Sequence, residues 1–332
     1  MNKNHKIILA FILLLFISII LGIAIGSVNF SIKETLLALF NKGNNIAAIT
    51  IINNMRLPRV LMAGLVGASL SLGGLIMQSI LKNPLADGTS LGVSSGATIG
   101  IVISLGFAIT LSGINIFIAI IFACISLFVV LKLSYFLDKN ISNNTVILSG
   151  IIFSMFANAI VSICLVIFSN DIKRIVFWTL GSLSGTSYLA IIIFLPFFIV
   201  SVVSSFLYTK ELDSFVLGEV GAKHIGVNVK STKIFLFIIA SILVSVSVAF
   251  TGTIAFVGII IPNMVRKIIK NKHKYLIPLS LIFGSSFLII ADIISRTVIS
   301  PRELPIGTIT SIIGVIVFIY ILIISRKREN IC

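Results

Sequence analysis

The sequence predicts an all-α integral membrane protein with ten transmembrane helices. Of its 332 residues, 58% are hydrophobic and only 11% are charged, whereas about 25% of the residues in an ordinary globular domain are charged. Apolar runs of about 20 residues, long enough to cross a bilayer as a helix, recur along the whole chain. These runs are continuously apolar and do not alternate with polar residues. Because backbone amides in lipid must be satisfied internally, the spanning elements are predicted to be helices.

The candidate spans divide the chain into one transmembrane domain covering residues 1–332. The first apolar run follows Lys3 and Lys6, as in a signal peptide, but it is longer than a signal-peptide core and many spans follow it. A retained first helix is therefore predicted, with a cleaved signal peptide as the alternative. The spans are residues 7–28, 57–81, 91–111, 114–137, 145–168, 188–208, 234–252, 254–265, 276–298 and 306–325.

The segment 234–265 is predicted to reverse direction inside the membrane. As a single helix it would be about 48 Å long, which exceeds the roughly 30 Å hydrocarbon core but does not allow two full spans. Lys233 flanks one end and Arg266 and Lys267 flank the other, so both ends are expected in the cytoplasm. Thr251–Thr253 is the natural turn. The second limb is then a short helix, which survives at membrane depth when it is buried in protein or lines a cavity.

The positive charge is explained by membrane topology. The formal net charge of +15 is compatible with nucleic-acid binding, but the basic residues lie in short loops between spans, and the positive-inside bias accounts for them. No nucleic-acid partner is predicted, and both termini are expected in the cytoplasm. The Lys and Arg residues left on the outer side are Arg56, Arg59 and Arg296, which face outward at helix ends, together with Lys33, Lys42, Lys173, Arg174 and Arg302.

One outer segment and one membrane segment carry informative polar patterns. Ser31 and Glu34 form a capping box that predicts a short outer helix over 31–40. In the fifth span, polar or small residues recur every fourth position, which places them along one helix face. This stripe indicates either interhelical hydrogen bonding or the lining of a polar path, and both interpretations stay open. It comprises Gly150, Ser154, Asn158 and Ser162, and the last span has a thinner stripe of Gly307, Ser311 and Gly314.

The ionisable residues argue against an ion-coupled transporter. Asp292 and Arg296 lie four residues apart and are interpreted as a structural pair. No other acid lies within a span, whereas a proton- or sodium-driven carrier would bury several ionisable groups. An ion-coupled secondary transporter is kept as the alternative class, and a membrane-anchored structural or receptor protein is less favoured.

No catalytic or metal-binding pattern is present. The three histidines His5, His224 and His273 are expected to be solvated in cytoplasmic segments. The cysteines, Cys124, Cys164 and Cys332, have neither disulfide nor metal spacing. The dipeptide Gly-Lys never occurs, so the chain lacks a G-x-x-x-x-G-K-[ST] phosphate loop. We therefore expect neither an enzyme nor a bound cofactor; if ATP provides the energy, another chain binds it.

The cytoplasmic stretch "FVLGEVGAKHIGVNVK" (Phe215–Lys230) predicts a short amphipathic helix starting at Phe215. Its smooth face collects Leu217, Val220, Gly221 and His224, with Ile225 at the edge. Glu219 and Lys223 are expected to pair on the opposite face, and Gly226 to end the helix. The segment indicates either a helix lying on lipid or a docking element for a cytoplasmic partner.

An ordered set of motifs resembles one protein family. The stretches "RLPR", "MQ…NPLAD…LGVSSGA", "W…GSL", "LG…A…IGV", "GTIAFVGIIIPNMVR" and "ADIISR…RELPIGTITSIIG" follow one another in this sequence. Together they closely resemble the permease subunits of type II ABC importers for iron-siderophore, haem and vitamin B12, the FecCD-type family. The resemblance extends from about Arg56 to Tyr320. Two positions depart from the family pattern, since Gly88 replaces a usual proline and Asn263 a usual histidine.

The resemblance implies the type II ABC importer permease fold in a bacterial cytoplasmic membrane. A second permease chain, identical or paralogous, would pair across a central path. Two copies of a separate ATPase would use ATP and Mg, and an extracellular binding protein or lipoprotein would deliver the cargo. The expected cargo is an iron chelate of siderophore type, with haem and cobalamin left open.

The resemblance also implies roles for particular residues. Docking of the binding protein is implied for Arg56, Arg59 and Arg296, whose guanidinium groups suit directional pairing with carboxylates. The path would be lined by Gly150, Ser154, Asn158, Ser162 and Ser311. Coupling helices at about 213–228 would dock into the ATPase through Leu217, Gly218, Val220, Gly221, Ala222, Ile225 and Gly226.

Overall fold

The computed structural model is helical throughout the part of the chain that it describes. It describes residues 3–26, 28, 30–42, 45–107, 114–139, 141–169, 172–269 and 272–329, and these ranges contain no strand. Residues 108–111 of the third predicted span and Cys332 lie outside the described residues.

The helices follow the apolar pattern of the sequence, and every predicted span contains one. Their bounds are α1 (Lys3–Ala24), α2 (Ile32–Leu39), α3 (Ile46–Ile51), α4 (Leu57–Leu81), α5 (Val93–Gly106), α6 (Ile114–Leu137), α7 (Asn143–Ile167), α8 (Ile172–Thr179), α9 (Tyr188–Leu207), α10 (Thr209–Phe215), α11 (Glu219–His224), α12 (Val229–Thr251), α13 (Val257–Ile268), α14 (His273–Thr297) and α15 (Ile306–Glu329).

Seven of these helices are long and apolar enough to cross a membrane within the described residues. They are α1, α4 with the segment that precedes it, α6, α7, α9, α12 and α14. The apolar parts of α5 and α15 are shorter, and α13 has 12 residues. The all-helical membrane fold is thus confirmed, whereas the number of ten spans stays a prediction.

Helix α4 lies at the centre of the packing, and most of its residues are buried. It approaches α14 and α13 closely because glycines face each other there. A Cβ atom added to Gly67 would lie 2.2 Å from the carbonyl oxygen of Gly284, and one added to Gly74 would lie 2.0 Å from that of Gly258. The small residues of this segment therefore bring backbones into direct contact.

The break predicted near residue 252 is confirmed, whereas the reversal inside a membrane stays a prediction. Helix α12 ends at Thr251, and Gly252 caps it with φ 72°, a conformation that favours glycine. The following helix α13 is short, and its Val257, Ile260 and Ile261 are buried in protein. This is the environment that an incomplete helix at membrane depth requires.

The capping box at the start of α2 is also confirmed. The backbone N–H of Glu34 donates to Ser31 Oγ, and the backbone N–H of Ser31 donates to Glu34 Oε2 at 2.9 Å. The hydrogen bonds from the Ser31 backbone and hydroxyl lower the pKa of the Glu34 carboxyl.

Candidate functional site

A cluster of charged residues lies where α4 begins and α14 ends. Arg59, in the first turn of α4, donates from Nε to Asp292 Oδ1 at 2.9 Å. Its Nη1 donates to both carboxylate oxygens of Glu303, at 2.9 and 3.0 Å. Arg296 lies with Nε 3.0 Å from Asp292 Oδ2, so the predicted Asp292–Arg296 pair is confirmed. The buried Asp292 therefore forms ion pairs with both arginines.

Arg56 and Arg296 also bind the end of α1. Arg56 Nη1 donates to the carbonyl oxygens of Ile23 and Ala24, at 3.0 and 2.7 Å, and Arg296 Nη2 donates to that of Gly22 at 3.0 Å. The last carbonyls of a helix have no partner within it, and the helix dipole favours cations there. The two arginines thus satisfy the end of α1 and fix it against α4 and α14.

The three arginines predicted for docking are brought together, but they are not equally accessible. Arg56 and Arg296 are only 5% and 4% exposed, while the Arg59 side chain is 12% exposed. Docking of a partner on these residues stays a prediction, and Arg59 is the member best placed to take part. Glu303, which belongs to the quoted "RELP" motif, was not predicted as a partner of Arg59.

Two cavities open beside this cluster. The larger, of about 610 Å³, is lined by Arg59, Arg174 and Glu303 and by the aromatic side chains of Trp178 and Phe250, among others. The second, of about 480 Å³, is lined by Arg56, Arg59, Arg296 and Glu303, among others. Arg59 and Glu303 form part of both walls. We call the larger space the arginine cavity.

The structure divides the polar stripe of α7 into two parts. Gly150 is buried, and a Cβ atom there would lie 1.9 Å from the carbonyl oxygen of Ser90, so this end serves packing. The Ser154 hydroxyl is also buried, without a partner among the described atoms. Asn158 and Ser162 are exposed, and Ser162 Oγ donates to the carbonyl of Asn158 at 3.0 Å.

The exposed part of α7 continues into a wide apolar face. In this structure of one chain, Ile151, Met155 and Ile163 are exposed by 50%, 68% and 59%. Ser311, in α15, is half-buried and donates to the carbonyl of Gly307 at 2.7 Å. The assignment of Gly150, Ser154, Asn158, Ser162 and Ser311 to a path stays a prediction, which the exposed Asn158 and Ser162 suit best.

The segment 213–228, which we call the coupling segment, contains two short helices instead of the predicted single helix. Helix α10 ends at Phe215, and α11 begins after Gly218, whose φ is 96°. This left-handed glycine breaks the predicted helix and redirects the chain. Gly226 at φ 86° ends α11, and the Val227 N–H donates to the carbonyl of Ala222 at 3.0 Å, as expected for a glycine C-cap.

The coupling segment has an anchoring face and an exposed face. Phe215 and Ala222 are 1% and 0% exposed. Ala222 therefore packs against the rest of the protein and does not form part of the docking surface. The exposed apolar side chains are Leu217 (66%), Val220 (69%) and Ile225 (60%). A role of this segment in coupling stays a prediction, and these three side chains form the surface available to a partner.

The expected Glu219–Lys223 pair is wrong. Glu219 Oε1 accepts a hydrogen bond from Lys233 Nζ at 2.8 Å, while Lys223 is exposed. The spacing of four residues suggested Lys223, but Lys233 is buried beneath α11 and needs a carboxylate partner more strongly than a solvated lysine does.

His273 corrects the expectation that all three histidines are solvated. It is 1% exposed, and its Nδ1 lies 2.6 Å from Asp213 Oδ1. Because a carboxylate only accepts, Nδ1 carries the proton. Its Nε2 lies 2.7 Å from Ser79 Oγ, so His273 joins the start of α14 to α10 and α4. His224 is exposed, as expected.

Polar side chains at the end of α4 hold α13 in place. Gln78 Nε2 donates to the carbonyls of Gly258 and Ile259, at 3.0 and 3.1 Å. Arg266 donates from Nη2 to Ser79 Oγ at 2.9 Å and from Nη1 to Gln78 Oε1. This network and Arg59 lie near opposite ends of α4, about 29 Å apart at the usual helical rise.

Within the described residues, no group of three or more His, Cys, Asp or Glu side chains is arranged to hold a metal ion.

The chain matches known transport proteins along most of its length. The model of the FecCD transport family matches residues 13–324. The ABC transporter permease protein YvrB of Bacillus subtilis, itself uncharacterised, is 39% identical over 94% of this chain and 91% of its own. The hemin transport system permease protein HmuU of Yersinia pestis is 30% identical, covering 98% of both chains.

Other relatives are named for the import of different cargoes, and a solved structure shares the fold. Relatives include permease proteins of Fe(3+)-citrate and vitamin B12 import systems. A structure described as a metal-chelate type ABC transporter in an inward-facing conformation superimposes with a TM-score of 0.85 at 29% identity, covering 96% of this chain and 98% of that one.

The charge cluster generates a prediction about stability. Replacing Asp292 by Asn leaves Arg59 and Arg296 without the buried carboxylate that they share. Removing one member of a buried ion pair costs about 3–5 kcal/mol, so we expect a marked loss of folded protein. The measurement is the thermal denaturation midpoint of the purified protein in detergent.

The matched control is Glu303→Gln, which removes the other carboxylate bound by Arg59. That side chain is 39% exposed, and a solvent-exposed pair contributes about 0–1 kcal/mol. Equal shifts of the midpoint for the two variants would contradict the role given to Asp292.

Proposed function

The chain belongs to the FecCD transport family, and we propose that it forms the transmembrane path for an iron chelate, with a ferric siderophore as the cargo. Membership in this family makes the chain an ABC importer permease. The proposal adds the cargo, the residues that serve the path and the partners that complete the transporter.

The charge of the arginine cavity is the observation that carries the cargo assignment. Its wall includes Arg59 and Arg174 but only one acid, Glu303, and that acid is already bound by Arg59. The excess of positive charge favours an anionic cargo, as many ferric chelates are. At about 610 Å³ the cavity in one chain already has the size of a small-molecule site, and a second chain would enlarge it.

The second permease chain is proposed to cover the exposed face of α7. That face carries large apolar side chains such as Met155 beside the polar Asn158 and Ser162. A partner chain, identical or paralogous, would bury the apolar positions and leave the polar ones along the path.

The extracellular binding protein is proposed to approach the outer charge cluster. Arg59 is the most accessible arginine there, and its contact with the half-exposed Glu303 is exchangeable for a carboxylate of the partner. Charge pairs of this kind steer encounter and fix register. The buried Arg56 and Arg296 would hold the helix ends on which this surface stands.

Two ATPase subunits are proposed to dock on the coupling segment and to use ATP and Mg. The sequence contains no G-x-x-x-x-G-K-[ST] motif, and the proposal assigns ATP hydrolysis to these partner subunits and a mechanical part to this chain. Leu217, Val220 and Ile225 offer a small apolar patch of the kind that partner proteins cover. In the proposed orientation this segment and both termini lie in the cytoplasm, and the membrane is the bacterial cytoplasmic membrane.

The cargo is tested by import into proteoliposomes containing the complete transporter with its binding protein. Radiolabelled ferric siderophore, ferric citrate, haem and cobalamin are compared, each with and without ATP inside. We expect ATP-dependent import of the ferric siderophore above the other three. Import of haem or cobalamin alone would replace the proposed cargo, and import driven by a proton gradient without ATP would replace the class of transporter.

The exposed patch of the coupling segment generates a second prediction. Replacing Val220 by Asp puts a charge into the proposed ATPase interface, where it would be buried without a partner. A penalty of about 1–3 kcal/mol for an unpaired polar group predicts a clear loss of ATPase association. Co-purification of the ATPase with the permease measures it.

The control for this prediction is Lys210→Ala, a change at an exposed position of the neighbouring helix α10. It alters surface charge near the coupling segment without touching the apolar patch. If Val220→Asp retains the ATPase as well as Lys210→Ala does, the patch is not the docking surface.

A further inference from the structure

A buried lysine connects the coupling segment to two transmembrane helices. Lys233, in the second turn of α12, is 2% exposed. Its Nζ donates to the carbonyl oxygen of Ile141 at 2.8 Å, to Asn143 Oδ1 at 2.9 Å and to Glu219 Oε1 at 2.8 Å. An ammonium group has three N–H donors, so all three are in use. We call this arrangement the lysine bridge.

The partners of Lys233 belong to separate elements. Glu219 is the first residue of α11 in the coupling segment. Ile141 lies in the turn after α6, and Asn143 is the first residue of α7. One ammonium group therefore holds the coupling segment, the start of α7 and the start of α12 together. Loss of any contact would leave a buried charge incompletely paired, which is costly, so the three elements are expected to move as a unit.

The turn before α7 is shaped to present its carbonyl group to the lysine. Ile141 has φ 52°, a left-handed conformation that is uncommon for a β-branched residue. The turn is fixed by its own hydrogen bonds, because the Ile141 N–H donates to the carbonyl of Asp138 at 2.9 Å and the Ser142 N–H donates to Asp138 Oδ2 at 3.0 Å. A residue in such a strained conformation persists where the surrounding contacts hold it in place.

The helices joined at the lysine bridge lead to the proposed path. Helix α7 carries the exposed Asn158 and Ser162. Helix α12 runs from the bridge to the arginine cavity, where Ala249 and Phe250 line the wall. A displacement of Glu219 would thus reach the path along α7 and the cavity along α12.

We propose that Lys233 is the positioning residue that transmits movement of the coupling segment to α7 and α12. This inference rests on the proposed function, in which the coupling segment receives the ATPase. When ATP drives α11 to move, the bridge forces α7 and α12 to move with it. A lysine that served folding alone would affect assembly but would leave the amount of cargo imported per ATP unchanged.

The test compares Lys233→Met with the matched control Lys230→Met in the complete transporter, reconstituted with its ATPase and binding protein. Lys230 lies one turn earlier in α12; it is exposed, with its Nζ 4.6 Å from the centre of the Tyr135 ring. Import of radiolabelled ferric siderophore and ATP hydrolysis are measured on the same proteoliposomes. For Lys233→Met, import per ATP should fall about tenfold, within the range of coupling between distant sites, while hydrolysis continues. Lys230→Met should keep the wild-type ratio.

Glu219→Gln keeps the inference testable if Lys233→Met fails to assemble. The amide still accepts a hydrogen bond from Lys233 Nζ but removes the charge, so the complex should assemble with a smaller fall in import per ATP. An unchanged ratio in the assembled variants, or an equal fall for Lys230→Met, overturns the inference while the proposed function stands. Absence of ATP-driven import by the wild-type transporter overturns the proposed function itself, and with it the inference.

Discussion

Buried cationic side chains fix the ends of several helices in this structure. Arg56 and Arg296 bind the last carbonyls of α1, and Lys233 binds the turn that starts α7. A buried cation is tolerated only when its donors are used, so each of these residues fixes the helix end that supplies its acceptors. The glycine contacts of α4 set how closely it packs against α13 and α14.

Each end of the molecule carries a basic side chain paired with a carboxylate. At one end, Arg59 binds Glu303, whose side chain is 39% exposed, and both residues border the two cavities. At the other end, the Lys233 side chain is 2% exposed and that of Glu219 is 32% exposed, and the lysine bridge joins the coupling segment to α7 and α12.

Hydropathy and local spacing predicted the features that depend on neighbours in the sequence. The helices, the turn at Thr251, the capping box and the Asp292–Arg296 pair all follow from residues a few positions apart. The partner of Glu219 could not be predicted in this way, because Lys233 is fourteen residues farther along, and burial decided between it and Lys223. The burial of His273 against Asp213 likewise comes from packing of distant segments.

The two departures from the family pattern have local explanations. A Cβ atom at Gly88 would lie 2.4 Å from Val244, so in this structure a side chain there would displace α12. Asn263 Nδ2 donates to the carbonyl of Pro84 at 2.7 Å and so ties α13 to the turn after α4. Both residues shape contacts between helices and lie outside the cavity walls.

In the proposed transporter, the polar part of α7 lines a water-filled path whose access changes with the ATP cycle. The direct measurement is the reaction rate of Asn158→Cys with a membrane-impermeant thiol reagent, in a complete transporter whose native cysteines are replaced by serine. Ile199→Cys, at an exposed apolar position of α9, is the control expected to face lipid. We expect that Asn158→Cys reacts, that its rate changes when ATP and vanadate trap the transporter, and that Ile199→Cys stays unreactive. If Asn158→Cys reacts no faster than Ile199→Cys in either state, α7 does not line a water-filled path.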